Sequence, residues 1–391
     1  MQFPLPAEVL KALDMITARG YEAYVVGGCV RDLLMGIPPH DYDICTSALP
    51  EETKACFCGE RVIETGIQHG TVTVLMNGEM LEITTFRTEG DYLDGRHPSS
   101  VSFTRSIEND LMRRDFTVNA MAYHPEKGLV DLYGGREDLQ DKRLRCVGDA
   151  PERLTEDALR ILRAMRFSAQ LSFAVEESTA QAMHNLKDRL SLISRERIAQ
   201  ELLRMIAFPA AANVLQQFED IFFAALPQCK CIDITALSAL RDGDEITRMA
   251  ALLHCNDTQS ADAALQSLKL PTIFQRNCLQ LIEHYAAPLE AATVPLWLAR
   301  LGEEQFRRLL LLQHNTALLP EIERALAENL PLQVRDLAIN GRDLIAAGVP
   351  AGPMVGEVLA RLHEMVLRRE VENDRGRLLE AGRTFEGRLL R

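Results

Sequence analysis

Asp41 and Asp43 stand two residues apart in HDYDICTS. On an extended segment both carboxylates project from one face, with Cα atoms roughly 6–7 Å apart. Carboxylates held that closely repel unless a cation or a shared proton intervenes, which points to a hard divalent ion such as Mg2+ or, alternatively, to an acid/base pair. A third acid follows from register. GTVTVLMNGEMLEITTF reads as two alternating runs joined by Asn77-Gly78, a dipeptide suited to a two-residue type I′ hairpin. That turn sets Thr73 opposite Glu82 and Val72 opposite Ile83, so Val72, Val74, Leu81 and Ile83 share an apolar face and Glu82 lies on the other.

Three further groups carry usable chemistry. AYVVGG ends a β-branched run in Gly27-Gly28, where the backbone can approach a phosphate and the next helix start offers free N–H groups, with Arg31 as an added cation. A plain strand-to-helix turn accounts for the glycines equally well, whereas a dinucleotide site is disfavoured because GGCVRDLLMG lacks GxGxxG and the acidic pair follows too soon. Arg113-Arg114-Asp115-Phe116-Thr117-Val118-Asn119-Ala120 packs guanidiniums, a carboxylate and an amide together. Arg114 suits a phosphate or base edge, and Asp115 or Asn119 a ribose hydroxyl; surface ion pairs are the bland alternative. In EDALRILRAMRF, Asp157, Arg160, Arg163 and Arg166 lie three apart, which predicts a drifting stripe along one helix. Such a pair on an exposed helix is worth only roughly 0.2–0.5 kcal/mol. As a base reader it has more content: Asp157 would accept from the exocyclic amino group of cytosine or adenine while Arg160 donates to the ring nitrogen. Guanine and uracil reverse that pattern.

The elements that must position these residues change character along the chain. Up to about residue 145 short strands alternate with helices; beyond it the spacing is helical, as in RERIAQELLRMIAF, with proline-bearing breaks near Pro209, Pro227, Pro271 and Pro320. Ser47, Pro50 and Glu51/Glu52 predict a cap, a first-turn proline and dipole-matched acids for one of the early helices. The fold class is α+β. With 391 residues, two to four compact units are expected, and the 47% hydrophobic and 25% charged content is that of a soluble globular protein. No apolar run is long enough for a bilayer, and the N-terminus lacks a secretory pattern, so a cytoplasmic protein is expected. Nine scattered cysteines without paired CxxC spacing read as reduced thiols. The net charge of −13 argues against a general nucleic-acid binder, DNA included, yet Arg136–Arg166 and Arg361–Arg391 are slightly basic, leaving room for a local RNA-facing surface.

Taken in order, GGCVRDLLMG…DYDICTS, LEITTFR, RRDFTVNAMAY, DLYGGREDL and EDALRILRAMRF resemble the motifs of class II tRNA nucleotidyltransferases, the CCA-adding enzymes. The likeness covers about the first 170 residues and continues more weakly toward the bacterial branch in LAINGRDLIAAGVPAGPMVGEVL. It implies a polymerase-β-like nucleotidyltransferase head (1–145), a helical neck (146–210), a helical body (211–320) and a helical tail (321–391) that holds tRNA. It further implies that Asp41 and Asp43 bind Mg2+ with Glu82 in support. Gly28 and Arg31 would meet the triphosphate, and Arg114 would contact the nucleotide. Asp157 and Arg160 would read the base of CTP or ATP, with Arg163 and Arg166 completing the site. Some relatives append an HD phosphohydrolase domain; here the only His-Asp pair is His40-Asp41, and His254 precedes Cys255, so none is expected. The resemblance also leaves a bacterial poly(A) polymerase, enzymes adding only CC or only A, and a silent RNA-binding relative as rivals. The segment from Phe86 to Phe103, rich in Gly, Pro, Ser and charge, is expected to be a mobile loop. It resembles the flexible head loop that CCA- and A-adding enzymes possess and CC-adding relatives lack, which implies competence for A addition; shortening 89–100 should spare C addition and impair A addition.

Overall fold

A computed structural model describes residues 2–64, 66–89, 101–240 and 242–389. The chain forms two compact units, Met1–Lys230 with Ala264–Leu270, and Cys231–Ala263 with Pro271–Arg391. The residues assigned by sequence to head and neck therefore share the first unit.

In that unit β1 (Ala23–Val26), β2 (Asp43–Thr46), β3 (Arg61–Ile63), β4 (Thr71–Met76), β5 (Glu79–Thr85), β6 (Arg87–Glu89), β7 (Val101–Phe103), β8 (Met121–His124) and β9 (Gly128–Asp131) precede the helical part. Seven of them form one sheet in the order β3-β4-β5-β2-β1-β8-β9. Only β2 and β5 run parallel within it. The hairpin is as the alternation requires. Asn77 and Gly78 take φ values of 51° and 93°, and Thr73 pairs with Glu82 and Val72 with Ile83. Val72, Val74, Leu81 and Ile83 pack with Val25 and Ile44 against Val9, Leu13 and Ile16 of the Ala7–Thr17 helix. Each such side chain contributes about 1.5–3 kcal/mol on full burial, so the register that presents Glu82 on the opposite face is strongly fixed.

Two local expectations need correction. Ser47 does not cap the Pro50–Cys56 helix: Leu49 is the flanking residue, and its amide donates to Glu52 at 2.7 Å, while Ser47 Oγ accepts from the Glu22 amide at 2.8 Å. Asp41 is not on a strand, because β2 begins at Asp43, where the ladders to β1 and β5 start at Val25↔Ile44 and Asp43↔Glu82. The ends of the expected mobile loop are also regular, since β6 and β7 pair Arg87 with Phe103 and Glu89 with Val101; residues 90–100 lie outside the described residues.

Beyond Leu144 the regular elements described in the first unit are helices, apart from a two-residue parallel pairing of β10 (Arg143–Leu144) with β11 (Ala174–Val175). Among the described residues of the second unit every regular element is helical. Part of its core gathers Leu337, Ile339, Leu344, Val358, Leu362 and Leu378. Asn340 opens the Gly341–Ala346 helix with a reciprocal cap: its Oδ1 accepts from the Arg342 amide at 2.9 Å, and its own amide donates to Asp343 at 2.9 Å. No described helix is long and apolar enough to cross a membrane.

Candidate active site

β1 and β2 are antiparallel, so the turn leaving β1 and the approach to β2 lie at the same end of the sheet. There Gly27, Gly28, Arg31, Asp41 and Asp43 line a cleft of about 920 Å³. Glu82 is the register partner of Asp43 on parallel β5, which sets it beside the pair without lining the cleft itself. Asp43 is the exposed first residue of β2, with Ile44, Cys45 and Thr46 buried behind it, so its carboxyl is only partly solvated. That partial burial pushes its carboxyl above the ordinary range, Asp41 and Glu82 add to the effect, and Arg114 opposes it. The backbone constraint in the glycine pair falls on Gly27, whose φ is 81° and whose added Cβ would meet Arg114 Nη1 at 3.1 Å. Gly28 opens the following helix with ordinary contacts.

A chain of hydrogen bonds ties the other candidates together. Arg31 Nη1 donates to Asn119 Oδ1 at 2.8 Å, and Arg31 Nε to Asp32 at 2.8 Å. Asn119 Nδ2 donates to Asp115 Oδ1 at 3.3 Å, which also accepts from the Phe116 amide at 2.8 Å. Asp115 Oδ2 takes Nε and Nη2 of Arg163 at 2.8 and 2.5 Å. Burial works to raise the Asp115 pKa, but Arg163, Arg160 and the Phe116 amide outweigh it and bring it down to about 2. A depressed carboxylate pKa stabilises the fold above the unfolded value and loses that contribution as pH falls through the folded one. Asp115→Asn should therefore cost on the order of 2 kcal/mol at neutral pH. Urea unfolding of both proteins between pH 7 and pH 3 should show the gap narrowing below about pH 4; a gap independent of pH would remove the electrostatic explanation.

The helix expected to carry all four residues of EDALRILRAMRF is broken. One helix ends at Glu156 and the next runs Leu159–Leu171, with Asp157 extended between them at φ −135° and ψ 102°. Its Oδ1 accepts from the Leu159 amide at 3.0 Å, a local side-chain bond that competes with helix continuation. Oδ2 accepts from Arg197 Nη2 at 2.9 Å. Arg160 is held by Glu156, by the Arg153 carbonyl at 2.9 Å and by the Arg113 carbonyl at 3.1 Å. Arg166 donates to Glu201 at 2.5 Å and to Gln170 at 3.1 Å. Asp157, Arg160, Arg163 and Arg166 all line the same cleft, together with Arg114, Asp115 and Asn119.

DLYGGREDL supports this wall from behind. Asp131 accepts from the amides of Gly135 and Arg136 at 2.8 and 2.9 Å, starting the Gly135–Gln140 helix. Buried Asp138 then accepts from Thr117 Oγ1 at 2.6 Å and from Nε of Arg143 and Arg145 at 2.7 and 3.0 Å. Gly135 is indispensable for this docking, because a Cβ there would sit 2.3 Å from the Thr117 carbonyl oxygen. Gly135→Ala should cost about 1–3 kcal/mol through forced backbone displacement. Thermal melts should show a loss of several degrees, and an unchanged Tm would mean that the Thr117 turn yields freely.

Sequence reasoning missed Asp110, Arg197, Glu201 and Arg204. Asp110 holds Arg113 at 2.9 Å and Arg114 at 3.1 Å, three and four residues on. Arg197, Glu201 and Arg204 stand one position ahead of buried Ile198, Leu202 and Met205 along the Arg195–Ile206 helix. Charges recurring on the flank of an apolar stripe were the available signal.

The poly A polymerase head domain profile matches residues 23–145, and that of tRNA nucleotidyltransferase domain 2 matches 243–381. A CCA-adding enzyme of Lactobacillus delbrueckii subsp. bulgaricus is 36% identical over 386 residues, covering 95% of this chain and 96% of its own. One from Streptococcus pyogenes is 38% identical over 386 residues, covering 95% of both. The crystal structure of the Bacillus stearothermophilus CCA-adding enzyme in complex with CTP superposes with a TM-score of 0.81 at 33% identity, covering 97% of this chain and 98% of that one. Relatedness at this level over nearly the whole length, with the acidic pair and the Asp157/Arg160 wall in one cleft, shows that the chain belongs to the CCA-adding enzyme family of nucleotidyltransferases.

Proposed function

We propose that the cleft binds CTP or ATP beside the 3′ end of a tRNA and joins the nucleotide to the terminal 3′-hydroxyl, releasing pyrophosphate, until CCA is complete. The observation that carries this is the meeting, in one cleft, of Asp41 and Asp43 with Asp157 and Arg160. No nucleic-acid template is needed, because protein side chains choose the base.

Asp41 and Asp43 are the residues to hold divalent ions, which we take to be Mg2+. The donors fit: they are hard oxygens, and a cation would offset both the burial that chiefly raises the Asp43 pKa and the repulsion from Asp41 and Glu82 that adds to it. Among the described residues no group of three or more His, Cys, Asp or Glu could hold an ion unaided. Two carboxylates completed by water and triphosphate oxygens are the usual arrangement for Mg2+. When bound, such ions make the 3′-hydroxyl more acidic and neutralise charge on the departing pyrophosphate. The protein does the rest by positioning. Gly27, Gly28 and Arg31 receive the triphosphate, Arg114 adds positive charge, and Asp115 and Asn119 fix the ribose side of the cleft. Asp157 accepts from the amino group of cytosine or adenine while Arg160 donates to the ring nitrogen. A carboxylate has about four acceptor sites, so the bonds from Leu159 and Arg197 leave Asp157 capacity for a base. Nine free thiols accord with a reducing, cytoplasmic setting.

A poly(A) polymerase would share the head but not the restraint. Supplied with ATP alone, the protein should leave a generic RNA primer essentially unextended and add one A to tRNA ending in CC. Long homopolymer tails on the generic primer would replace this assignment with the polymerase one.

A further inference from the structure

Phe167 is an aromatic side chain in a cleft lined largely by charged groups, and three guanidiniums lie over its ring. The Cζ of Arg166 is 4.0 Å from the centroid, that of Arg163 is 5.3 Å away and that of Arg31 is 5.6 Å away. A ring has two faces, so at least two of these cations share one. Each is also paired with an acid: Arg31 with Asp32 at 2.7 Å, Arg163 with Asp115 at 2.5 Å, and Arg166 with Glu201 at 2.5 Å. The acids offset the charge and tie neighbours together in pairs: Glu201 lies 4.0 Å from Arg163 as well as gripping Arg166, and Asn119 links Arg31 to the Asp115 that holds Arg163. All three cations meet on the Phe167 ring. It is nearly buried, at 7% exposure, and meets Phe116 edge to face with centroids 5.8 Å apart at 77°. Phe116 is fully buried and donates its amide to Asp115, the acid that grips Arg163. The ring is thus keyed to the same loop that carries Asp115 and Asn119, and Arg31 reaches it from the helix after the glycine turn.

We propose that Phe167 is a positioning residue for nucleotide binding: its ring spaces Arg31, Arg163 and Arg166 so that cations from the head and from the Leu159–Leu171 helix form one wall of the cleft. The proposal rests on the nucleotide-site reading above. The ring's quadrupole attracts each cation by an amount an aliphatic side chain of similar size cannot supply. Removing it takes away the surface the three cations share and leaves their spacing to the ion pairs and the Asn119 link. Arg31 faces the triphosphate in this reading and Arg163 and Arg166 flank the base, so the loss falls on CTP and ATP alike and not on their discrimination.

The test compares Phe167→Leu, which keeps apolar bulk without a π face, with Phe167→Tyr, which keeps the ring. Affinity for CTP and for ATP is measured by calorimetry without RNA, alongside Tm and the CTP-over-UTP preference in a tRNA extension assay. Phe167→Leu should weaken both nucleotides by roughly 3- to 30-fold, the range expected for partly desolvated cation–π contacts. Its preference should be unchanged, and Phe167→Tyr should stay within about twofold of the parent, as expected if the ring supplies the contact. Parental affinity in Phe167→Leu overturns the role. So does equal weakening in both variants, which marks a demand for packing shape alone. Because binding is read without RNA, failure of tRNA extension by the parent would refute the tRNA assignment while leaving this comparison intact. A parent that binds neither nucleotide overturns the site and this role together.

Discussion

Asp43→Asn is expected to abolish addition of both C and A to tRNA while the protein keeps its fold and its hold on RNA. Asp43 is register partner of Glu82 and two residues from Asp41, so three carboxylates crowd one sheet end; burial chiefly raises the Asp43 pKa, and repulsion from the other two adds to it. Such crowding has no stabilising purpose. Removing one charge should leave Tm unchanged or raise it, because an unfavourable contact is relieved. Catalysis should fall by on the order of a thousandfold or more, since preorganised charge at a reacting centre is worth at least 10² to 10³ per group. The assays are incorporation of labelled CTP and ATP, tRNA binding on filters, and a melt without divalent ions. Near-normal turnover in Mg2+ would refute the metal role. A large fall in Tm would instead assign Asp43 to the fold.

Asp157→Ala is expected to blur the choice of base as well as to slow normal addition. The wrong bases leave like groups opposed at Asp157, and an unmatched buried polar group costs about 1–3 kcal/mol. Selectivity for CTP over UTP and for ATP over GTP should thus fall by roughly ten- to a hundredfold in kcat/KM. Two side effects are built into the structure. The Leu159 amide loses its acceptor, worth about 1 kcal/mol as a helix cap, and Arg197 loses its partner. Both lower stability or slow all four nucleotides together. Neither changes their ratio. If CTP and ATP use slowed with no change in preference, base reading would have to lie elsewhere in the cleft.

The sequence was most legible where the determinant is local. Asn77-Gly78 and the flanking alternation are enough to place Glu82, because a two-residue turn and a period of two leave one register. The same logic overreached at Asp41, since strand length depends on where the neighbouring ladders start and not on alternation. Asp157 looked helical because three-residue spacing carries no information about a side chain that prefers its own neighbour's amide. For Arg197 and Glu201 it was the partners that could not be read, because Asp157 and Arg166 lie 40 and 35 residues away. DLYGGREDL was recognisable as a motif but not as a support, because the 2.3 Å approach to Thr117 exists only after packing. Local rules placed Asp43 and Glu82 side by side, and tertiary contact supplied the residues that hold the arginines in place.

The most direct test is to incubate tRNA lacking its last three nucleotides with CTP alone, with ATP alone and with both, then sequence the ends. The account predicts CC with CTP, no addition with ATP alone, and CCA with both. Ends that stop at CC with both nucleotides present, or runs of A without prior C, would contradict it.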